Sequence, residues 1–296
     1  MISISSVSAL RRAVLMMGFS ALVLVVPVLG PSSAQAATQY RFLQFNTAGN
    51  VRYGGDVQAA VDIGNSVLSL RPHVVTLNEI CRNQAEYLDA WLSDHGYPVR
   101  VTHTQTIPTF ITAKGIQCQY GNAVVSVGEG SQPSPADRVN LYSAGLEQRA
   151  LTCLDVTLPL TVRVCVTHLT NGSDANRSGV RTTQISQVAG ANILRARMTQ
   201  GFPALLGGDM NVSPRGDSYH PDQLDPLYYW QGVGPFLEAE GTRIGCDPPI
   251  PPCSPTLGTL KFDYVFLDRA GWTALTATAS SARVSDHRLL KAYASH

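Results

Sequence analysis

The stretch ALLGGDMN, at residues 204–211, carries the strongest single signal in the chain. An apolar run typical of a strand ends there in Gly207 and Gly208, followed by Asp209 and Asn211. Because side chains alternate along an extended segment, Asp209 and Asn211 are expected to point the same way. The two glycines let a substrate or another strand approach closely. The same residues also suit a simple backbone turn, so the stretch alone leaves both interpretations open.

Four further motifs place polar side chains at the ends of strand-like segments. They are FNT at 45–47, LNE at 77–79, THL at 167–169 and SDH at 285–287. With the first stretch they supply carboxylates, carboxamides and imidazoles, namely Glu79, Asp209, Asp286, Asn46, Asn211, His168 and His287. Such groups suit a hard divalent cation and general acid–base work on a phosphate ester. A chain that ends five strands in this way is expected to gather these residues in one cleft.

Each motif also has a structural interpretation when it is taken alone. A carboxylate at the end of a buried strand, such as Glu79, needs a partner, which is a cation, a capped helix or an arginine. Asp286 need not orient His287, because adjacent strand residues point to opposite faces. Asp263, on a neighbouring predicted strand at 261–267, is the better candidate for holding that imidazole.

Residues 1–37 are predicted to be a secretory signal peptide. Arg11 and Arg12 precede an apolar run at 13–29, and small residues then lead to a cleavage site near Ala36. An uncleaved membrane anchor is the alternative, although the run is short for a span. The Sec and twin-arginine routes both stay open. Residues 38–296 are then expected to form one α/β domain in a secreted, extracellular protein.

The mature chain is nearly neutral, which limits its expected partners. The whole chain has 22 Lys and Arg against 21 Asp and Glu, and the leader holds two of the arginines, so 20 minus 21 leaves −1. A neutral protein gains little from non-specific attraction to a polyphosphate. Nucleic acid is still allowed, because a bound cation supplies positive charge locally.

Six cysteines in an exported chain predict three disulfides. Two of them flank a proline-rich loop, and two face each other if 150–158 and 161–168 form a hairpin. The third pair follows by subtraction. The predicted pairs are Cys246 with Cys253, Cys153 with Cys165, and Cys81 with Cys118. Buried free thiols are the alternative, and no spacing is typical of a zinc knuckle.

The predicted elements indicate mixed sheets covered by helices. Helices are predicted from Asp56 to Leu70, from Asn83 to Gly96 and over 181–198. Strands are predicted at 41–45, 74–77, 100–128, 150–168, 204–206 and 261–267. This is an α/β pattern other than a pure Rossmann sheet. The sequence contains no phosphate-binding glycine loop and no G-x-S-x-G motif, so a serine-nucleophile hydrolase is not expected.

The order of the polar residues resembles the endonuclease/exonuclease/phosphatase superfamily over residues 40–292. This superfamily includes DNase I-like nucleases, abasic-site endonucleases, inositol polyphosphate phosphatases and bacterial sphingomyelinases. The matching residues are Asn46, Glu79, Asn122, Arg149, His168, Asp209, Asn211, Asp263, Asp286 and His287. The resemblance implies a four-layer α/β sandwich, with two mixed β-sheets packed face to face and helices outside. It also implies activity with Mg²⁺, or with Mn²⁺ or Ca²⁺ in its place.

The resemblance implies which residues handle the metal and the attacking water. By the family pattern, Glu79 binds the metal, with Asn46 and Asp286 near it. Asp209 activates or orients the water, and Asn211 holds that water or the phosphate.

The resemblance also implies which residues handle the phosphate. His287, oriented by Asp263, binds the scissile phosphate. His168 lies across the cleft as a phosphate ligand or as the proton donor to the leaving oxygen. Arg149 and Asn122 are expected to bind the phosphate or the rest of the substrate.

Two departures from the family pattern bear on the substrate. DNase I-like enzymes place an arginine two residues after the metal glutamate, where this chain has Cys81 followed by Arg82. The aromatic membrane hairpin of the sphingomyelinases has no evident counterpart. Its nearest candidate, Tyr228 to Trp230, favours a core or loop-packing role over base stacking.

These observations predict a secreted, metal-dependent phosphodiesterase, with a DNase I-like endonuclease acting on DNA as the first choice. A phospholipase C or sphingomyelinase-like enzyme, or a small phosphate-ester phosphatase, is the alternative. A binding protein that keeps the fold without turnover is the third. A nuclease should show a groove lined by Arg52, Arg82, Arg149 and Arg181, and a lipase an apolar, aromatic rim. No obligate protein partner is indicated, and we expect a monomer.

Overall fold

The computed structural model describes residues 38–128, 133–213, 223–229, 234–240, 253–280 and 285–296. Ala37–His296 forms one compact unit. The signal peptide predicted at 1–37, together with Trp230 and Cys246, lies outside the described residues. Within the described ranges, no helix is both long and apolar enough to cross a membrane.

The described residues form fourteen strands and four helices. In chain order these are β1 Gln39–Asn46, α1 Gln58–Leu70, β2 Val74–Cys81, α2 Arg82–Asp94, β3 Val99–Gln105, β4 Phe110–Ile111, β5 Gln117–Cys118, β6 Tyr120–Val127, β7 Asp137–Asn140, β8 Ala150–Thr157, β9 Thr161–His168, α3 Ala175–Gly190, α4 Asn192–Thr199, β10 Ala204–Asp209, β11 Phe236–Glu238, β12 Asp263–Asp268, β13 Thr273–Ser280 and β14 Leu289–Ser295.

Two six-stranded mixed sheets make up the body of the protein. The first has the order β13-β14-β1-β2-β6-β3, and the second has the order β11-β12-β10-β9-β8-β7. Each sheet contains one parallel pair, β1 with β2 and β9 with β10. The other neighbours run antiparallel. The parallel strands carry Asn46, Glu79, His168 and Asp209 at or near their carboxyl ends, so the polar motifs lie at one edge of the sandwich.

The two sheets pack face to face through an apolar core. Phe42 and Val74 of the first sheet share a buried cluster with Val164 and Leu205 of the second. The next residue along β10, Leu206, belongs instead to the cluster on the outer face. This alternation is the period of two that a strand imposes on its side chains.

Gly207 allows the two sheets to approach closely beside the polar edge. A Cβ at this position would overlap the hydroxyl of Thr76, which lies on β2 in the opposite sheet. A close approach at Gly207 was predicted from the sequence, and the approaching group is a strand of the protein itself.

Helices cover the outer face of each sheet. On the first sheet, Val67 of α1 and Leu88 of α2 pack against Leu77. On the second sheet, Ile185 of α3 and Leu194 of α4 join the buried outer cluster. The four layers are therefore helices, sheet, sheet and helices, which confirms the predicted α/β sandwich.

The single helix predicted over 181–198 is wrong. The structure has α3 and α4, separated by Ala191, which is extended with φ −62 and ψ 121. The side chain of Asp174 accepts the backbone N–H of Arg177, so the first helix also starts six residues earlier than predicted. The buried apolar residues keep helical spacing across Ala191. The hydrophobic pattern therefore gave no indication of the break.

Two predicted disulfides are confirmed. Cys81 is bonded to Cys118, and Cys153 is bonded to Cys165 across the β8–β9 hairpin, where the two residues are direct partners in register. Cys253 is disulfide-bonded as well. Its predicted partner, Cys246, falls outside the described residues.

Candidate active site

Glu79 lies at a bulge near the end of β2. The pairing of β2 with β6 shifts register between Leu77 and Ile80, and Glu79 has φ +58. That left-handed conformation is uncommon for a residue other than glycine, and strain of this kind is often found at functional sites. The strand was predicted to end at Leu77. It continues to Cys81 because the bulge accommodates the extra residues without ending the ladder.

Asn46, at the end of β1, joins carboxylates from the two sheets. Its Nδ2 donates to Glu79 Oε1 at 3.1 Å and to Asp209 Oδ2 at 3.0 Å. Its Oδ1 accepts the backbone N–H of Ala48 at 3.1 Å. One buried amide therefore holds the two acidic side chains side by side.

The Asp209 carboxylate lies between two imidazoles. Its Oδ2 is 3.6 Å from His168 Nε2 and 3.7 Å from His287 Nε2. Burial raises the pKa of Asp209 above its usual range, and the nearby Asp263 charge adds to the rise, although His287 and Asn46 oppose it. A carboxyl group with a raised pKa accepts a proton more readily than an exposed one.

His287 is held by Asp263. Their Nδ1 and Oδ2 atoms are 2.7 Å apart, the contact that the sequence predicted. Asp263 is paired in register with Asp209 across β10 and β12, so the same ladder positions both carboxylates. Burial lowers the pKa of His287, but the charges of Asp263 and Asp209 outweigh it and raise this pKa to about 10. His287 is therefore an imidazolium at neutral pH.

His168, in contrast, is a neutral imidazole. Arg149 Nη1 is 2.7 Å from His168 Nδ1, and a guanidinium only donates, so Nδ1 must be the acceptor. Burial, followed by the charges of Arg149 and His287, holds the pKa of His168 well below its usual range. His168 is therefore neutral and carries its proton on Nε2, the nitrogen nearer to Asp209.

Two buried donors near this network have no hydrogen-bond partner among the described residues. They are Arg149 Nε and Asn122 Nδ2. Arg149 otherwise bonds His168 and forms an ion pair with Glu147 at 3.1 Å, while Asn122 Oδ1 accepts from Asn78 Nδ2 at 2.9 Å. An unpaired buried donor costs free energy, so both positions suit an anionic ligand or an ordered water.

Asn211 does not extend β10 as predicted. It has φ +51, its backbone N–H donates to Asp209 Oδ1 at 2.9 Å, and its Nδ2 donates to Leu169 O at 3.1 Å. The expectation that Asp209 and Asn211 alternate along one extended face is therefore wrong, because the chain turns after Asp209. Asn211 ties that turn to the end of β9.

Asp286 lies at the exposed edge of the site. Its carboxylate accepts the Ser285 hydroxyl at 3.2 Å. Burial raises the pKa of Glu79, and the charge of Asp286 contributes to that rise, so the two carboxylates are electrostatic neighbours.

Four polar residues of the site were not predicted, namely Gln44, Thr76, Asn78 and Tyr120. The first three are fully buried between the sheets. Burial raises the pKa of Tyr120 well above its usual range, and the adjacent Glu79 adds to it. Gln44, Thr76 and Asn78 interrupt apolar strands, Tyr120 begins one, and a buried polar side chain needs a partner. That was the signal available in the sequence.

The site contains carboxylates of the kind that bind a hard divalent cation. Asn46 bridges Glu79 and Asp209, and burial is the largest cause that raises the pKa of each, although the charge of His287 opposes the rise in both. Asp209 also belongs to a group of potential ligands with Asp263 and His287. In that group the imidazole Nδ1 of His287 is already bonded to Asp263. Glu79 is the other buried carboxylate of the site, and Asp286 lies near it.

A second acidic cluster lies outside this site. Glu238 and Glu240 both pair with the buried Lys261, at 3.2 and 2.7 Å from its Nζ. Cys253, the third potential ligand of the cluster, is disulfide-bonded. The cluster is thus a buried ion-pair network rather than a place for a metal.

The arginine-lined groove predicted for a nuclease is present only in part. Arg52 is exposed, and Arg82 is exposed but paired with Glu86 at 2.7 Å. Arg181 is fully buried and donates to the carbonyls of residues 170 and 172, so its predicted place in the groove is wrong. Arg149 is buried in the site itself.

The aromatic pair at 228 and 229 has a packing role where it is described. Tyr228 is buried and donates to Glu238, and Tyr229 packs beneath the Arg269 guanidinium at 3.9 Å. The most exposed large apolar side chains in the described ranges are Val51 and Ile111. The exposed aromatic side chains in these ranges are Tyr87, Tyr142 and Tyr229, and they come from separate segments of the chain. The apolar, aromatic rim expected of a lipase is therefore not evident in the described residues.

Comparison with family sequence profiles identifies the family of this chain. The sequence profile of the Endonuclease/Exonuclease/phosphatase family matches residues 43–287. The chain belongs to this family. It is therefore a phosphoric ester hydrolase, and the family generally depends on a divalent metal. No curated protein sequence matches the chain.

The solved structures that the chain is similar to share its fold. The human Nocturnin catalytic domain with bound sulfate is 16% identical with a TM-score of 0.63, covering 87% of this chain and 94% of that one. A truncated Caenorhabditis elegans TDP2 is 16% identical with a TM-score of 0.60, covering 87% and 98%. An endonuclease/exonuclease/phosphatase protein from Beutenbergia cavernae is 21% identical with a TM-score of 0.60, covering 87% and 71%. At these identities the likeness extends to the fold alone.

Proposed function

We propose that this family member is an exported, metal-dependent phosphodiesterase that cleaves DNA. The observation that carries the proposal is the position of Asp209 between a neutral imidazole, His168, and a cationic one, His287. An acceptor for a proton, a hydrogen-bond donor and a positive charge then converge on one point. In-line attack on a phosphodiester needs all three.

In this proposal Glu79 holds the cation, with Asn46 and Asp286 near it, and Asp209 serves the attacking water. The bound ion, Mg²⁺ or one of its relatives Mn²⁺ and Ca²⁺, would polarise the phosphate and supply positive charge. Glu79 is suited to this role because its strained backbone conformation fixes the direction of the side chain.

The charge states of the two histidines separate their roles. Neutral His168 has only its Nε2 proton to offer, and losing it would leave an imidazolate, so His168 serves as a hydrogen-bond donor to a phosphate oxygen. The imidazolium of His287 meets the charge that builds on the phosphate and carries the proton for the leaving oxygen. Asp209 accepts the proton of the attacking water. The backbone N–H of Asn211 holds Oδ1 of that carboxylate in place. Arg149 and Asn122 supply further donors for the phosphate.

A phosphodiester of DNA is the proposed substrate. The site offers two buried donors for one phosphate group, Arg149 Nε and Asn122 Nδ2, and Arg52 is an exposed cation for the flanking backbone. Two disulfides in the described residues support export to an oxidising compartment, as the predicted signal peptide does.

A small phosphate ester is the second candidate. The observation in its favour is that Arg181 is buried and Arg82 is paired, which leaves fewer free cations to bind a polyanion. A mannosyl-6-phosphatase from Bacteroides thetaiotaomicron has the same fold, at 13% identity and a TM-score of 0.58.

The purified protein should be offered plasmid DNA, sphingomyelin vesicles and a sugar phosphate side by side, with Mg²⁺ and with EDTA. The proposal expects metal-dependent plasmid nicking that weakens as salt rises. Asp209→Asn should abolish it, and Asp94→Asn, an exposed residue at the end of α2, is the matched control.

Each other outcome reassigns the protein. Cleavage of the sugar phosphate with intact plasmid would establish the second candidate. Cleavage of sphingomyelin alone would move the protein to the lipase branch. Nicking that is unchanged in Asp209→Asn would refute the assignment of the site.

A further inference from the structure

Asn78, the residue before Glu79, makes hydrogen bonds with every donor and acceptor position of its side chain. Its Oδ1 accepts from Gln44 Nε2 at 2.7 Å and from the backbone N–H of Asp209 at 2.9 Å. Its Nδ2 donates to Asn122 Oδ1 at 2.9 Å and to the carbonyl of Thr167 at 3.0 Å. The side chain is fully buried between the sheets.

The orientation of this amide is fixed by two backbone groups. The Asp209 N–H only donates and the Thr167 carbonyl only accepts, so the oxygen and nitrogen of Asn78 have only one arrangement that satisfies both. Both backbone groups belong to the second sheet, while Asn78 itself belongs to the first. Asn78 thus fastens β2 to β9 and β10 beside the site.

That fixed orientation is passed on to the neighbouring amides. Because Asn78 offers N–H to Asn122, Asn122 must present its oxygen and turn its own Nδ2 away. That Nδ2 is the buried donor without a partner in the described chain. Because Asn78 offers oxygen to Gln44, Gln44 presents its Nε2, which also reaches Asp263 Oδ1 at 3.3 Å, and its Oε1 accepts the Thr76 hydroxyl at 2.6 Å.

We propose that Asn78 is a positioning residue, which sets the alignment of Asp209 with the other sheet and directs the Asn122 amide toward the substrate. It touches no reacting atom. It acts through the Asp209 backbone, through the Thr167 carbonyl next to His168, and through Asn122. The kinetic part of this inference rests on the proposed phosphodiesterase activity, whereas the structural part does not.

The test is Asn78→Asp, which keeps the shape and the accepting oxygen but replaces the donor. The Asn122 amide should turn over to donate to the new carboxylate, and Thr167 O should lose its partner. A misplacement of about 1 Å in an active site is enough to cost ~10²-fold in rate. We therefore expect kcat for bis(p-nitrophenyl) phosphate to fall about 10²-fold while KM changes far less.

Gln184→Glu is the matched control. Gln184 is a fully buried amide on α3 that donates to Tyr142 O and the Thr170 hydroxyl, so the substitution makes the same atomic change away from the reacting groups. Both variants should lose thermal stability, but only Asn78→Asp should lose kcat. An unchanged kcat in Asn78→Asp with a lowered Tm would show that Asn78 is merely structural, and would overturn the proposal.

A second measurement does not depend on turnover. In ¹H–¹⁵N spectra of the metal-free protein, the Asn122 side-chain amide should move in Asn78→Asp and stay in place in Gln184→Glu. Addition of inorganic phosphate should shift that resonance in the wild type and not in Asn78→Asp. A protein that hydrolyses none of the substrates but shows these shifts would refute the proposed function and keep the inference. An Asn122 resonance insensitive to Asn78→Asp would refute the inference.

Discussion

Asp263→Asn should convert His287 from an imidazolium to a neutral imidazole near neutral pH. His287 is almost completely buried, and burial alone would lower its pKa. Asp263 and Asp209 instead raise that pKa from 6.5 to about 10. With Asp263 neutralised, the charges of Asp209 and Asp286 are left to oppose the effect of burial, and the pKa of His287 should fall by several units.

The magnitude follows from the same shift. A rise from 6.5 to about 10, at about 1.36 kcal/mol for each pKa unit, corresponds to about 5 kcal/mol that favours the charged, folded form. Because the folded-state pKa of His287 lies above the unfolded value, this contribution is complete below pH 6.5. It declines as pH rises and is lost on passing through pH 10. Asp263→Asn should therefore destabilise the protein more at pH 6 than at pH 10.

Two measurements check this prediction. Imidazole ¹H–¹⁵N correlation spectra of the metal-free protein, recorded from pH 5 to pH 10.5, report the pKa of His287 directly. The pH profile of kcat should lose its alkaline activity in Asp263→Asn, since the cation is missing there. Asp268→Asn is the matched control, because Asp268 is a buried carboxylate on the same strand that bonds backbone N–H groups away from both histidines.

The reasoning would be refuted if His287 in Asp263→Asn kept a pKa near that of the wild type. It would also fail if Asp268→Asn shifted that pKa equally, since a general loosening of β12 would then explain both results.

Two further predictions concern the scaffold of the site. Gly207→Ala should destabilise the protein by about 1–3 kcal/mol, because the new Cβ would overlap the Thr76 hydroxyl of the opposite sheet. Gly190→Ala is the control, because a Cβ there contacts no other atom. Equal urea midpoints for the two variants would contradict this prediction. Replacing Cys81 and Cys118 by alanine opens a loop with a sequence separation of 37 residues, so thermal unfolding should show a loss of about 4 kcal/mol on the chain-entropy estimate. The same variant should bind Mg²⁺ more weakly by calorimetry, since Cys81 lies two residues after Glu79, the proposed metal ligand. An unchanged affinity would show that the disulfide does not support the metal site.

The layered fold and the place of the site could be predicted because they follow from local patterns. Apolar runs that end in Asn46, His168 and Asp209 indicate strands with polar carboxyl ends, and the order of those ends matches one family. The pairing of Cys153 with Cys165 followed from hairpin register alone. Two predictions failed because they continued a helix or a strand past the residue at which the structure ends it. The break at Ala191 and the turn at Asn211 are single-residue backbone conformations, and apolar periodicity carries no information about them.

The charges of the site could not be predicted, because they depend on partners that are distant in sequence. His168 and His287 are the same residue type, and each follows a similar strand-like segment. The pKa of His168 is lowered by burial and then by Arg149, which donates to its Nδ1. The pKa of His287 is raised, against burial, by Asp263, which accepts from its Nδ1, and by Asp209. The sequence could suggest the second partner and gave no sign of the first. The division of labour between the two imidazoles is thus a property of the assembled sandwich, in which β8 brings an arginine to one histidine and β12 brings a carboxylate to the other.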